Sequence, residues 1–327
     1  MPLLERQMPL ELLEQCAQDL RAGQGRVVLV SGEAGLGKTS LLEHFAAARR
    51  GRERILWGRC DPLATPSPLG PFQEIAAQTT GRFPSLRAAA DGSAVSLPGL
   101  LQDFKQAGPA IYVIEDLHWA DEASLDAVKF LGRRIASVEA VLIATYRDDE
   151  LHRQHALRHV LATLATGRDV RRIPLTALSV DAVRSLVPEG VFDADLVHRQ
   201  TGGNPFVIAE LLASGYAAGG PRAVRDMVHP RAARLSPSGR AVLEAAAVIG
   251  PRADARLLRR IVGEAAEHAD ACIDLGLLRA EGENLVLRHE LTRQAVLESI
   301  APPRRADLHG RILAALTDMG NIEASLL

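Results

Sequence analysis

Short apolar runs alternate with amphipathic segments along the first half of the chain. The apolar runs have the length of buried strands, and the segments between them repeat apolar side chains every three or four residues, as helices do. The pattern predicts strands over 26–31, 54–59, 110–115, 139–145 and 171–175, and helices over 38–49, 96–107 and 122–135. Such alternation favours a mainly parallel sheet covered by helices, an α/β fold.

Two further features flank these strands. Apolar side chains between Pro9 and Gly23 recur on one helical face, which predicts a helix before the first strand. Four prolines between Asp61 and Pro71 predict a loop over the surface.

The second half of the chain has a different pattern. Past Leu175 the strand signal ends, Ser179 indicates a helix start, and 192–215 predicts two short helices broken at the sequence TGGNP. After Ser236, helices are expected near 237–248, 254–262 and 265–275, followed by a hairpin that turns at 282–284 and a helix over about 304–318. Three helices with a hairpin are the pattern of a winged-helix domain.

Composition limits the class of protein. The 327 residues are 47% hydrophobic and 24% charged, which is typical of a globular protein of two or three domains. The net charge of −2 argues against attraction of the whole surface to nucleic acid or acidic lipid, although a local basic patch stays compatible with it. Three cysteines without metal-ligand spacing, and no apolar stretch of ~18 residues, favour a cytoplasmic protein without a membrane span.

The first predicted strand leads into a glycine-rich loop of the form GxxxxGK[ST]. Glycines let the backbone turn so that its N–H groups point inward at phosphate oxygens. Lys38 supplies a positive charge for the β and γ phosphates, and Thr39 supplies a hydroxyl for Mg²⁺. Lys38 is one of only three lysines among 38 lysine and arginine residues. The expected nucleotide-binding residues of the loop are Gly32, Glu33, Ala34, Gly35, Leu36, Gly37, Lys38, Thr39 and Ser40.

A second apolar run ends in two acids, Glu115 and Asp116, which has the form of a Walker B element. Open parallel sheets place their ligands at this edge, so Thr39, Glu115 and Asp116 are the expected magnesium ligands. The usual order is an aspartate that holds the metal and then a glutamate that polarises the attacking water. Here the order is inverted, and the sequence leaves open which acid serves the metal. If Glu115 does, Asp116 is a shorter base and hydrolysis is expected to be slow, with Asp121 as a second candidate base.

The strand over 139–145 runs into Arg147. A cation at this place can reach the γ phosphate and report its presence, so Arg147 is a candidate catalytic residue together with Glu115 and Asp116. The alternative is a surface ion pair between Arg147 and Asp148 or Asp149.

Five motifs resemble, in this order, the N-terminal region of LuxR-type large ATP-binding regulators, which belong to the STAND class of P-loop ATPases. The motifs are LVSGEAGLGKT, VIEDLHWADEASLDAVKFLGRRI, TYRDDE, TGGNPFVIAELL and RHELTRQAV. The resemblance covers roughly residues 3–315. It implies a P-loop nucleotide-binding domain over 1–176, a helical lid over 177–222, a winged-helix domain over 223–300 and the start of a helical sensor region over 301–327.

The resemblance also implies further nucleotide contacts. The segment around Arg6 lies near adenine in this family, Pro205 matches a proline that packs against the base, and His289 matches a histidine that reaches the β phosphate of ADP.

The implied function is a switch that exchanges ADP for ATP, self-associates when ATP is bound, and hydrolyses ATP weakly. The inducer is unknown, and DNA is bound through a C-terminal domain absent from this chain. Two other functions stay open: a DNA-engaging AAA+ ATPase with a winged helix, and a P-loop kinase of a small molecule.

Overall fold

The chain forms two compact units in a computed structural model, Met1–Thr176 and Ala177–Leu327. The structure describes residues 3–61, 67–90, 95–187, 193–214, 229, 231–250, 252–287 and 290–318.

The first unit is built on a five-stranded parallel sheet. Its strands are β1 (Arg26–Ser31), β2 (Ile55–Arg59), β3 (Ala110–Glu115), β4 (Ala140–Tyr146) and β5 (Val170–Pro174). They lie side by side in the order β2-β3-β4-β1-β5, and every neighbouring pair is parallel. The five predicted strands are thus confirmed, each within one residue of its expected bounds.

Helices cover both faces of this sheet. They are α1 (Gln7–Arg21), α2 (Lys38–Ala48), α3 (Gly70–Ala77), α4 (Pro84–Ala90), α5 (Leu97–Ala107), α6 (Glu122–Gly132) and α7 (Ala156–Leu164). Successive side chains of a strand point to opposite faces, and β1 divides accordingly: Val28 and Val30 pack with α1 and α2, whereas Val27 and Leu29 pack with α3, α5, α6 and α7. All residues of β3 and β4 are buried, as expected for central strands of a covered parallel sheet.

Three of these helices were not predicted: α3, α4 and α7. The predicted loop up to Pro71 was too long at its end, because Pro71 lies buried in the first turn of α3. Proline is tolerated there since a helix has no internal partner for the first N–H groups. Residues 62–66, which make up much of the predicted loop, lie outside the described residues.

The second unit is mainly helical. Its helices are α8 (Val180–Leu186), α9 (Ala194–Thr201), α10 (Pro205–Ser214), α11 (Pro237–Ile249), α12 (Ala255–Val262), α13 (Ala269–Asp274), α14 (Glu290–Ser299) and α15 (Pro302–Asp318). A small antiparallel sheet has the order β6-β8-β7, with β6 (Arg252–Asp254), β7 (Leu278–Glu281) and β8 (Asn284–Leu287).

The core of this unit surrounds α11, whose residues Val242 and Ala245–Ala247 are fully buried. The predicted hairpin is confirmed as β7 and β8, and the strand β6 beside it was not predicted. The winged-helix assignment of these elements stays a prediction, and so does the division of the unit into lid, winged helix and sensor region. Among the helices that the structure describes, none combines the length and the apolar character that crossing a bilayer requires.

The contact between β2 and α3 gives a test of the first unit. A methyl group on Gly58 of β2 would lie 2.1 Å from the carbonyl oxygen of Pro71, so Gly58→Ala forces the strand and helix apart. We expect the free energy of unfolding to fall by about 1–3 kcal/mol, the usual cost of overpacking. Chemical denaturation measures it.

Gly70→Ala is the matched control, because its added methyl group meets only the Ser67 Cβ, at 4.0 Å. This variant should be at least as stable as the wild type, since alanine reduces the freedom of the unfolded chain. Equal stability of the two variants would show that β2 and α3 do not pack in this way.

Candidate functional site

The glycine-rich loop joins β1 to α2 at the carboxyl edge of the sheet. Gly37 precedes the first helical residue with φ 86°, a left-handed conformation that favours glycine. Gly32 has φ 149°, and a methyl group there would lie 2.9 Å from the carbonyl oxygen of Leu175. The loop therefore needs glycine at both positions. It leads directly into a helix N-terminus, whose free N–H groups favour an anion such as phosphate.

The Lys38 ammonium lies inside this loop. Its Nζ donates to the carbonyl oxygens of Gly32 at 2.6 Å and Glu33 at 3.0 Å, and the residue is only 7% exposed. Burial is the main reason that the pKa of Lys38 is lowered, and the charge of Arg147 lowers it further. An ammonium has three N–H donors, so these two bonds leave one for a ligand.

Glu115, at the end of β3, binds the first turn of α2. Its Oε1 accepts a hydrogen bond from the Thr39 hydroxyl at 2.7 Å, and its Oε2 accepts one from Arg59 Nε at 3.1 Å. Glu115 is 5% exposed. The structure thus brings together the hydroxyl and the first acid that the sequence predicted as magnesium ligands.

Asp116 points elsewhere, although it is the next residue. Its backbone is left-handed, with φ 54°, and its N–H donates to the Thr145 hydroxyl at 2.9 Å. Its side chain is 41% exposed. Burial is the main cause that raises the pKa of Asp116, opposed by the charges of Arg147 and Lys38. The two acids therefore have different surroundings, as different roles require.

Arg147 follows β4 and lies beside Asp116. Its Nη1 is 2.6 Å from Glu150 Oε1, and its Nε is 3.9 Å from Asp116 Oδ1. The sequence offered Asp148 or Asp149 as partners, but the described ion pairs of Arg147 are with Glu150 and Asp116. Arg147 is therefore ion-paired and also lies at the carboxyl edge of the sheet. The ion pair is compatible with a contact between Arg147 and phosphate.

Asp121, the second candidate base, caps α6. Its Oδ1 accepts from the backbone N–H groups of Ser124 at 2.9 Å and Leu69 at 3.2 Å, and its Oδ2 accepts from the Ser124 hydroxyl at 2.5 Å. Both oxygens are engaged in this cap, so the structure favours a structural role for Asp121.

Arg6 supports the loop from its buried position. Its guanidinium donates to the carbonyl oxygens of Leu36 at 3.2 Å, Thr176 at 2.9 Å and Glu5 at 3.0 Å. Burial lowers the pKa of Arg6. The predicted contact of this segment with adenine stays a prediction.

Two residues suggested by the resemblance lie in the second unit. Pro205 is the first residue of α10, and the Asn204 side chain before it accepts from Phe206 N at 3.1 Å. His289 lies outside the described residues. Their contacts with a nucleotide stay predictions.

Three residues of the site were missed: Arg59, His118 and Glu150. Arg59 ends β2, and it reaches Glu115 only because β2 and β3 are neighbours. Burial lowers the pKa of His118 to about 3, so its ring is neutral near pH 7. The acid after TYRDD was a visible signal for Glu150, since it lies three residues after Arg147 in the segment that follows β4.

The donors present at the edge fit Mg²⁺. A hydroxyl and two carboxylates are hard oxygen ligands, which this ion prefers, and it commonly takes the rest of its shell from phosphate and water. Within the described ranges, no group of three or more His, Cys, Asp or Glu side chains could hold a metal ion alone. The Thr39 hydroxyl and the Glu115 carboxylate fit a magnesium ion that takes its other ligands from phosphate and water.

The bond between Thr39 and Glu115 can be tested without any ligand. Thr39→Val keeps the shape of the side chain and removes the hydroxyl, which leaves Glu115 Oε1 without that donor. We expect a loss of about 1–3 kcal/mol in the free energy of unfolding, because a buried acceptor then lacks its partner. Thr39→Ser retains the hydroxyl and should stay near the wild type. Equal stability of the Val and Ser variants would contradict this geometry.

Comparison with known proteins agrees with this fold. The sequence model of the family described as AAA ATPase domain matches residues 2–144. A curated protein of Rhizobium meliloti (strain 1021), described as uncharacterized, is 26% identical over 386 aligned positions that cover 96% of this chain. The chain spans 37% of the length of that protein.

Two solved structures are similar. The Walker-type ATPase PABY2304 of Pyrococcus abyssi has a TM-score of 0.60 and 14% identity, over 90% of this chain and 96% of its own. Cdc6p of Pyrobaculum aerophilum has a TM-score of 0.47 and 14% identity, over 97% of this chain and 95% of its own. At such identities the first similarity shows the fold alone. Residues 2–144 thus match the AAA ATPase domain model, and the chain has a parallel α/β fold similar to that of this Walker-type ATPase.

Proposed function

We propose that this chain is the nucleotide-binding switch of a LuxR-type large ATP-binding regulator, which binds ATP or ADP with Mg²⁺ and hydrolyses ATP slowly. The main support for a nucleotide site is that Lys38, Thr39 and Glu115 lie close together at the carboxyl edge of the sheet. The ammonium lies within the glycine loop, and the hydroxyl lies 2.7 Å from the acid. These are the groups that phosphate and its magnesium ion need, at the edge where parallel sheets bind ligands.

The same geometry supports an assignment of the two acids. Glu115 contacts Thr39 and is the better candidate for the metal position, which leaves Asp116 to polarise the attacking water. A bound Mg²⁺ would neutralise charge that develops on the phosphates. Asp116 is one methylene shorter than the usual glutamate and lies 3.9 Å from Arg147 Nε. Turnover below ~1 s⁻¹, slower than is typical of kinases, is consistent with this arrangement.

A switch also requires that ATP and ADP are bound with different affinities in two states. We expect Arg147, which follows β4 and lies beside Asp116, to discriminate the γ phosphate, and the resemblance assigns His289 a contact with the β phosphate of ADP. The chain spans 37% of its Rhizobium relative, so the inducer, self-association and DNA binding of a longer regulator are proposals as well.

Charges in the second unit argue against direct DNA binding as the main function. Two arginines in or beside its small sheet pair with acids: Arg279 of β7 with Glu281 at 2.5 Å, and Arg256 of the neighbouring helix α12 with Glu283 at 2.9 Å. Binding to DNA phosphates depends on clustered positive charge, and these pairs reduce it.

Replacement of Lys38 tests the nucleotide site. Lys38→Ala removes the charge inside the loop, and we expect ATP and ADP affinity to fall roughly 10- to 100-fold, which corresponds to the loss of a charged hydrogen bond. Isothermal titration with Mg²⁺ measures both affinities.

The exposed Lys105 provides the control, because Lys105→Ala removes the same charge at the end of α5. Its affinities should match the wild type. Equal nucleotide affinities in the wild type and the Lys38 variant would defeat the assignment of the loop.

The switch itself is tested at His289. If this histidine stabilises the ADP state, His289→Ala should raise the fraction of purified protein that carries ATP. Denaturation of the protein, followed by chromatography of the released nucleotide, gives this fraction. The exposed His44, replaced in the same way, is the control. An unchanged ratio of ATP to ADP would remove His289 from the proposal.

A further inference from the structure

Glu150 connects Arg147 with the turn that follows the Walker B acids. Its Oε1 lies 2.6 Å from Arg147 Nη1, and its Oε2 accepts a hydrogen bond from Trp119 Nε1 at 3.1 Å. The side chain is 16% exposed. One largely buried carboxylate therefore ties the end of β4 to the turn Leu117–Trp119 after β3.

His118 completes the surroundings of this carboxylate. Its Nδ1 accepts a hydrogen bond from the backbone N–H of Arg147 at 3.4 Å, so the proton of the neutral ring belongs on Nε2. Nε2 lies 3.5 Å from Glu150 Oε2, near it but without a hydrogen bond. His155 Nε2 lies 3.0 Å from the His118 carbonyl oxygen and holds this turn from outside. Arg147 and Trp119 thus donate hydrogen bonds to Glu150, and the His118 ring lies beside it.

These contacts orient the guanidinium of Arg147. Nη1 is bound by Glu150, Nε faces Asp116 at 3.9 Å, and the group lies 5.9 Å from the centre of the Trp119 ring. The described contacts leave Nη2 without a hydrogen-bond partner. A guanidinium is planar and rigid, so fixing one edge also fixes the direction of the other.

We infer that Glu150 is a positioning residue, which holds the guanidinium of Arg147 in the orientation that distinguishes a nucleoside triphosphate from a diphosphate. The inference rests on the proposed function, because it assumes that Arg147 contacts the γ phosphate. Glu150 itself touches no phosphate. Glu150, held by Trp119, restricts the orientations of the Arg147 side chain before ATP binds. The entropic cost of ordering Arg147 on binding is then smaller, and this benefit applies only to the triphosphate.

The test compares ATP and ADP affinity in the full chain. Glu150→Gln keeps the size of the side chain and an acceptor for Trp119 but removes the charge that holds Arg147. We expect the ratio of ATP to ADP affinity to fall about 5- to 10-fold, at the lower end of typical coupling between sites. The affinity for ADP should stay within about two-fold, which a general loss of structure would not allow.

Further variants separate positioning from a merely structural role. Glu150→Asp keeps the charge and should recover part of the ratio. Arg147→Gln should lower the ratio as Glu150→Gln does, and the double variant should lower it no further, because both changes remove one interaction. Asp148→Asn, an exposed acid two residues away, is the matched control and should leave both affinities unchanged.

Two outcomes would overturn the inference. An unchanged ratio of ATP to ADP affinity in Glu150→Gln would show that Glu150 does not act through Arg147, and a higher ATP affinity would show that it restrains Arg147 instead.

If the Gln variant does not fold, Trp119→Phe takes its place: it removes the N–H donor to Glu150 and should lower the ratio by a smaller factor. A wild type that binds neither nucleotide would defeat the proposed function first, whereas normal binding with an unaltered ratio would defeat only this inference.

Discussion

The candidate site depends on the hydrogen bonds of one buried carboxylate, Glu115, at the end of the central strand β3. Moving a charged group out of water is unfavourable unless partners replace the water, and Glu115 at 5% exposure has two, Thr39 and Arg59. Those partners come from α2 and β2, so one side chain joins three elements of the first unit. The sheet order makes this possible, because β3 lies between β2 and β4.

The burial of the sheet explains why its strands were predictable. Each residue of β3 and β4 is buried, so the strands are continuous apolar runs in the sequence. The glycine loop was equally clear, since its function requires particular residue types at fixed spacing. Short helices were harder: α3 begins with Gly70 and Pro71, which the sequence favours as a turn. The three-residue strand β6 is too short to show any periodicity.

The polar contacts of the site were the least predictable feature. Arg59 is separated from Glu115 by 56 positions, and Trp119 from Glu150 by 31, so no local pattern indicates either pair. Asp121 shows the opposite problem, because a residue type suited to catalysis also suits a helix cap. Its three hydrogen bonds identify the cap only once the fold is known. The sequence thus indicated candidate residues, and their contacts in the fold distinguished those of the site from those with a structural role.

Arg6 has a consequence for the N-terminal segment. One guanidinium bonds Leu36 of the glycine loop and Thr176, the last residue of the first unit, and so it links positions 30 and 170 residues away. The few residues before α1 therefore stabilise both the glycine loop and the segment that follows β5. A protease cut or a deletion ahead of α1 would loosen the glycine loop although every residue of that loop is intact.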